Sequence, residues 1–101
     1  MPPAWTELAA AAALVKDGDL VALTGHTQAA PMALIRELIR QGRRRLQLIT
    51  VPTGGLNVDL AVGAGVADRL HFAQVGLEEY GMAPNFRAAV QAGRLHCLEY
   101  P

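Results

Sequence analysis

The chain has very little cysteine, no excess of charge and no long apolar run. Cys97 is the one cysteine in 101 residues. An internal disulfide and a cysteine-based metal cluster are therefore excluded, which fits a reducing, cytoplasmic setting. Nine Lys and Arg balance nine Asp and Glu. Without net positive charge there is no electrostatic footprint for nucleic acid, whose affinity rests on phosphate neutralisation. The longest early apolar stretch, Leu8 to Val15, is too short to span a membrane and lacks the preceding positive charge of a signal peptide. His26, His71 and His96 have no metal-ligand spacing, so no metal site is expected. No linker or low-complexity tract divides the chain, and residues 1–101 are read as a single domain.

What is present is an apolar, ordered composition: 51% hydrophobic and 18% charged, which argues against disorder. The chain is organised around Asp17–Pro31, a turn followed by the apolar run Leu20-Val21-Ala22-Leu23 and the small polar elbow Thr24-Gly25-His26-Thr27-Gln28. Pro31 then suits the first turn of a helix, where its missing N–H has no intrahelical partner to lose.

The same device recurs. An alanine-rich helix over 7–16 with Thr6 as its N-cap precedes the first strand, about Leu20 to Leu23. A helix over 31–41 carries the stripe Met32, Leu34, Ile35, Leu38 and Ile39, with Gly42 as a left-handed stop. A strand over 46–51 ends in the elbow Pro52-Thr53-Gly54-Gly55. A third helix runs from Val58 to about Ala64 with Asn57 as cap, and Gly63-Ala64-Gly65 breaks it. A strand over 70–75 ends at Gly76, where Leu77-Glu78-Glu79-Tyr80-Gly81 forms a third elbow. Pro84 and Asn85 open a helix that stops at Gly93, and a last strand runs from Leu95 to Tyr100.

Strands alternating with helices on short connections imply an α/β fold with a parallel sheet and right-handed crossovers. All three elbows, and the helix starts at Pro31, Asn57 and Pro84, then fall at the carboxyl edge of the sheet, where ligands bind in open α/β folds. A parallel sheet needs cover on both faces. No helix follows the fourth strand, so a partner or a larger fold is expected to supply that cover.

Two readings fit each candidate site. Thr24, Gly25, His26, Thr27 and Gln28 make a cradle for a carbonyl-bearing or anionic ligand, or an ordinary strand-to-helix turn. Thr53, Gly54, Gly55 and Gly76 let backbone approach a ligand, or simply make tight turns. Glu78 or Glu79, if buried, would act as a general acid or base; otherwise both favour the start of a helical turn. Arg43-Arg44-Arg45 falls at the opposite edge and reads as solvated charge complementing a helix C-terminus. Cys97 reads as core, His71 and His96 as half-buried strand residues, and no side chain has the signature of an activated nucleophile.

In their order along the chain, several of these segments resemble the family I CoA-transferases, on the α-subunit side. They are Asp17-Gly18 before an apolar strand, Gly25 and Pro31-Met32-Ala33-Leu34, then Pro52-Thr53-Gly54-Gly55 and Gly63-Ala64-Gly65, and finally Val75-Gly76-Leu77-Glu78-Glu79-Tyr80-Gly81-Met82-Ala83-Pro84-Asn85-Phe86-Arg87. The A subunit of glutaconate CoA-transferase and its relatives carry a similar succession. The likeness is to the amino-terminal portion of longer subunits, and Thr24-Gly25-His26 departs from the family's Gly-Gly-Phe.

The resemblance implies a Rossmann-like, NagB-like sheet and a hetero-oligomer with a B-type subunit. It also implies transfer of CoA from an acyl-CoA to a carboxylic acid. No resident cofactor is implied, since coenzyme A enters as the acyl-CoA substrate. In two-chain members the attacking glutamate belongs to the B subunit, so none is assigned here. A thioester hydrolase or ring-opening enzyme using Glu78 or Glu79, and a shortened non-catalytic assembly module, are the alternatives.

Overall fold

The computed structural model describes residues 5–24, 30–51, 53–77 and 81–100. Its elements are α1 (Leu8–Ala13), β1 (Leu20–Thr24), α2 (Met32–Arg40), β2 (Leu46–Val51), β3 (Thr53–Gly54), α3 (Leu56–Gly63), β4 (Ala67–Phe72), β5 (Gln74–Val75), α4 (Pro84–Gln91) and β6 (His96–Glu99). The fold is α/β with a four-stranded parallel sheet in the order β1-β2-β4-β6, beside a two-stranded parallel pair, β3-β5.

Every crossover steps the same way across the main sheet. Right-handed connections of one direction put all their helices on one face, and α1 lies against α2, α2 against α3 and α3 against α4. That face holds the core: Val21 and Leu23, Leu46 and Leu48, Leu70 and Phe72, and Cys97 meet Ala12, Ile35, Leu38, Val58, Ala61, Val62 and Ala89 from the helices. Phe72 and Phe86 meet edge to face at 5.4 Å, locking β4 to α4.

The opposite face carries two cross-strand rows, Leu20-Gln47-Arg69-His96 and Ala22-Ile49-His71-Leu98. No described helix lies over them, so the face without cover is that of the whole sheet and not of the fourth strand alone. There His71 Nδ1 lies 3.3 Å from the Tyr100 hydroxyl, its ring stacked on the tyrosine.

A register shift after Leu46↔Ala67 leaves Asp68 unpaired before Gln47↔Arg69. The extra residue reverses the alternation, so that Ala67 and Leu70, three apart, both face the helices.

Several boundaries differ from the sequence reading. α1 is shorter than 7–16 and its N-cap is Glu7, not Thr6. At its far end Lys16 N–H donates to the Asp19 carboxylate, and Asp19 N–H returns to the Lys16 carbonyl, so a turn replaces the last helical residues. In α2 Pro31 is the N-cap rather than the first helical residue, while Gly42 closes the helix at φ 72° as expected.

The strand expected over 70–75 is two strands, β4 and β5, separated by a bend at Ala73. β6 is shorter than Leu95–Tyr100. Arg43 is not simply solvated: its Nε donates to the Val15 carbonyl at 2.7 Å, while Arg44 N–H donates to Asp17. His96 is exposed rather than half-buried, because it stands on the uncovered face.

Candidate functional site

Because β1, β2 and β4 run parallel, Thr24, the end of β2 and the end of β4 lie on one rim. The second and third elbows are joined there directly. Thr53 pairs with Gln74 and Gly54 with Val75, and Gly76 N–H donates to the Gly54 carbonyl at 3.0 Å. Leu77 N–H in turn bonds the Gly81 carbonyl at 2.9 Å, closing the base of the third elbow. The two-residue strands are too short to leave any alternating pattern in the sequence.

Gly54 and Gly55 are buried at this junction. A Cβ on Gly54 would stand 2.7 Å from Thr50 Cγ2 and 3.2 Å from methyls of Val58 and Val75. Packing of the two elbows therefore demands glycine at 54. At Gly76 a Cβ would meet nothing within 4 Å. Gly25, His26, Thr27, Gln28, Pro52, Glu78 and Glu79 lie outside the described residues.

The helix starts at the rim are not equivalent. α4 is already occupied by an internal anion. The Asp59 carboxylate, buried in α3, accepts from Phe86 N–H at 2.7 Å and from Asn85 Nδ2 at 3.1 Å. Asp59 thus caps the neighbouring helix, complementing the positive end of its dipole, so the Pro84 start is not the open anion site that the sequence suggested.

The helix ends over Gly63-Ala64-Gly65 as expected, Gly65 standing at φ 76°, and Gly63 is the last residue of α3. A Cβ there would stand 2.6 Å from the Asn85 side chain, so its absence lets Asn85 reach Asp59. The sequence held a signal for this joint: an acid inside the apolar run Leu56–Val62 must find donors if it is buried.

α3 begins two residues earlier than expected, with Gly55 as N-cap and no side-chain cap. Asn57 is therefore not a cap. It is fully buried, and its Nδ2 donates to the Thr24 carbonyl at 3.3 Å, binding the end of β1 to the start of α3. Among the described residues the rim thus brings together Thr24, Thr53, Gly54, Gly55, Asn57 and Gly76. Sequence reasoning missed the burial of Asn57 and the role of Asp59.

Coenzyme A transferase, as a family model, matches residues 6–101. The chain belongs to this family. The A subunit of the 3-oxoadipate CoA-transferase of Pseudomonas knackmussii is 42% identical to it over 85 residues, covering 84% of this chain and 30% of the relative. Among solved structures, a variant of the decarboxylase AibA/AibB superposes with TM-score 0.84 at 33% identity, over 97% of this chain and 38% of that one. This CoA-transferase family chain therefore spans about a third of the length of the relatives it matches. The α/β, parallel-sheet architecture that the resemblance implied is the one observed.

Among the described residues no helix is long and apolar enough to cross a membrane, and no cluster of His, Cys, Asp and Glu could hold a metal ion. Cys97 is half-buried on the helix-covered face of β6. Burial, and secondarily the Glu99 charge, raise the pKa of its thiol above the ordinary value for cysteine. At a given pH less of it is thiolate than in a free cysteine, which makes it a poorer nucleophile. Iodoacetamide at pH 8 is expected to label Cys97 about tenfold more slowly than free cysteine, and denaturant is expected to remove the difference. Labelling of the folded chain at the free-thiol rate would contradict this.

Proposed function

We propose that this chain forms the acyl-binding, A-subunit side of an enzyme that moves CoA from an acyl-CoA to a free carboxylic acid. The attacking glutamate is supplied by a B-type partner chain. The observation that carries this reading is the joining of strand-end elbows on one rim, Thr53-Gly54 to Gln74-Val75, beside Thr24. α3 opens onto that rim behind Gly55, which has no side chain to cap its first-turn N–H groups. Donors on this rim suit the oxyanion of a thioester under attack, with the N–H groups of Gly25 and of the first turn of α3 as candidates, the Gly54 N–H being taken up by the ladder with β5.

In the proposed reaction the partner's carboxylate oxygen attacks the thioester carbonyl and expels CoA as thiolate, leaving a mixed anhydride. The thiolate then attacks the glutamyl carbonyl and releases the first acid. The incoming acid completes the exchange by the reverse steps. This chain orients the acyl group and polarises its carbonyl; Thr24, His26, Thr27, Gln28, Thr53, Gly55 and Gly76 form the remainder of the proposed acyl site.

The test is an exchange assay between an acyl-CoA and a labelled acid. Exchange is expected only when the B-type chain is added, with a hydroxylamine-sensitive thioester on that chain. Exchange by this chain alone, or a thioester on Glu78 or Glu79, would refute the proposal. A loss of about a hundredfold in kcat in Glu78→Gln or Glu79→Gln, with no covalent intermediate, would point instead to thioester hydrolysis.

A further inference from the structure

The two polar ends of the Asn57 side chain have different fates. Nδ2 is used on the Thr24 carbonyl. Oδ1, sealed from solvent, has no partner among the described residues. Turning the amide over would set oxygen against the Thr24 oxygen, so the hydrogen bond itself fixes which end is the acceptor. Buried side-chain acceptors are satisfied in the great majority of cases, and an exception calls for a physical reason, such as a functional role or a bound water.

The surroundings define the donor that suits Oδ1. α3 is eight residues long, and Asn57 stands in its opening turn, one residue past a start that has no side-chain cap. The turn offers backbone donors, and Asn57, in the same turn, adds a side-chain acceptor. A ligand matched to this corner presents a carbonyl oxygen to the backbone and, beside it, an O–H or N–H to Oδ1. A bare carboxylate fails the second requirement, because it brings lone pairs to an oxygen.

We infer that Asn57 is a specificity-determining residue. Its side-chain carbonyl accepts a hydrogen bond, directly or through one bridging water, from an O–H or N–H group of the thioester substrate. The inference rests on the CoA-thioester reading given above. Two parts of such a substrate carry this chemistry: a hydroxyl on the acyl chain, and the amide N–H groups of the pantetheine arm.

Equilibrium binding of butyryl-CoA, 3-hydroxybutyryl-CoA and CoA separates them. Each is titrated into the unmutated chain and Asn57→Leu, alone and with the B-type partner. If the acyl chain is the source, the hydroxylated ester binds the unmutated chain about tenfold more tightly than butyryl-CoA, and Asn57→Leu abolishes the difference. If the pantetheine arm is the source, Asn57→Leu weakens all three ligands about tenfold alike.

Equal binding of every ligand by both proteins overturns the inference and leaves the CoA reading intact. Failure of any CoA ester to bind the unmutated chain in either state overturns the CoA reading, and this inference with it. Should Asn57→Leu not fold, the Asn57 side-chain carbonyl-carbon NMR resonance of the unmutated chain decides. A downfield shift at saturating 3-hydroxybutyryl-CoA or CoA supports the assignment, and an unmoved resonance refutes it.

Discussion

Replacing Asp59 by alanine is expected to cost about 2–3 kcal/mol and, in a domain of this size, to lower Tm by roughly 10–20 °C. The carboxylate is 3% exposed and accepts from Phe86 N–H and Asn85 Nδ2. Truncation leaves the Phe86 N–H at the start of α4 without its acceptor and removes a charge from the positive end of the helix. The loss therefore contains both an unsatisfied donor and a missing cap. Asp59→Asn keeps one acceptor oxygen and should lose only about 1 kcal/mol. Denaturant titration of the three proteins checks the order. A loss below about 0.5 kcal/mol in Asp59→Ala, the range of ordinary surface changes, would mean that the two bonds do not hold α4.

Gly54→Ala tests the joint between elbows. Its new methyl would stand 2.7 Å from Thr50 Cγ2, with Val58 and Val75 methyls at 3.2 Å, so either the backbone shifts or three packed side chains do. Overpacking of this kind costs about 1–3 kcal/mol. The damage should be local as well as global: exchange of the Gly76 amide, which donates to the Gly54 carbonyl, is expected to quicken more than exchange within β2 or β4. Gly76→Ala is the control. Nothing lies within 4 Å of its added Cβ, so stability should stay within about 0.5 kcal/mol. If Gly76 is glycine because a ligand approaches, that variant would instead lose ligand affinity while keeping its Tm. Equal Tm values for Gly54→Ala and the unmutated chain would show that the elbows do not pack as described.

The parts that could be read from the sequence are those where one physical rule acts alone. α2 carries a broad apolar stripe and a left-handed glycine, and it lies within one residue of its expected bounds. β2 occupies its expected range, Leu46–Val51, and the alternation of α and β elements alone implied the parallel sheet.

The parts that could not be read depend on a second element arriving. Asp59 looks like any acid in a helix until α4 presents its N-terminus. Asn57 looks like a cap until Gly55 takes that place and β1 offers the Thr24 carbonyl. Gly63 looks like a helix stop and no more until Asn85 fills the space where its side chain would be. The unpaired Asp68 is visible only against β2, since a bulge is a relation between two strands. For the candidate site, the rim was legible as topology, whereas the pairing of its elbows rests on two-residue strands that carry no pattern.

The uniform direction of the winding governs how such a chain can be assembled. Each main-sheet strand after β1 docks on the one laid down immediately before it in that sheet, so none waits for a distant partner before its hydrogen bonds form. Parallel pairing is slow when long loops must close first, and here no closure exceeds a single helical excursion. The sheet can therefore grow in the order of synthesis, β1 with β2 making the seed and β4 and then β6 adding to it, each helix settling onto its predecessor as it emerges.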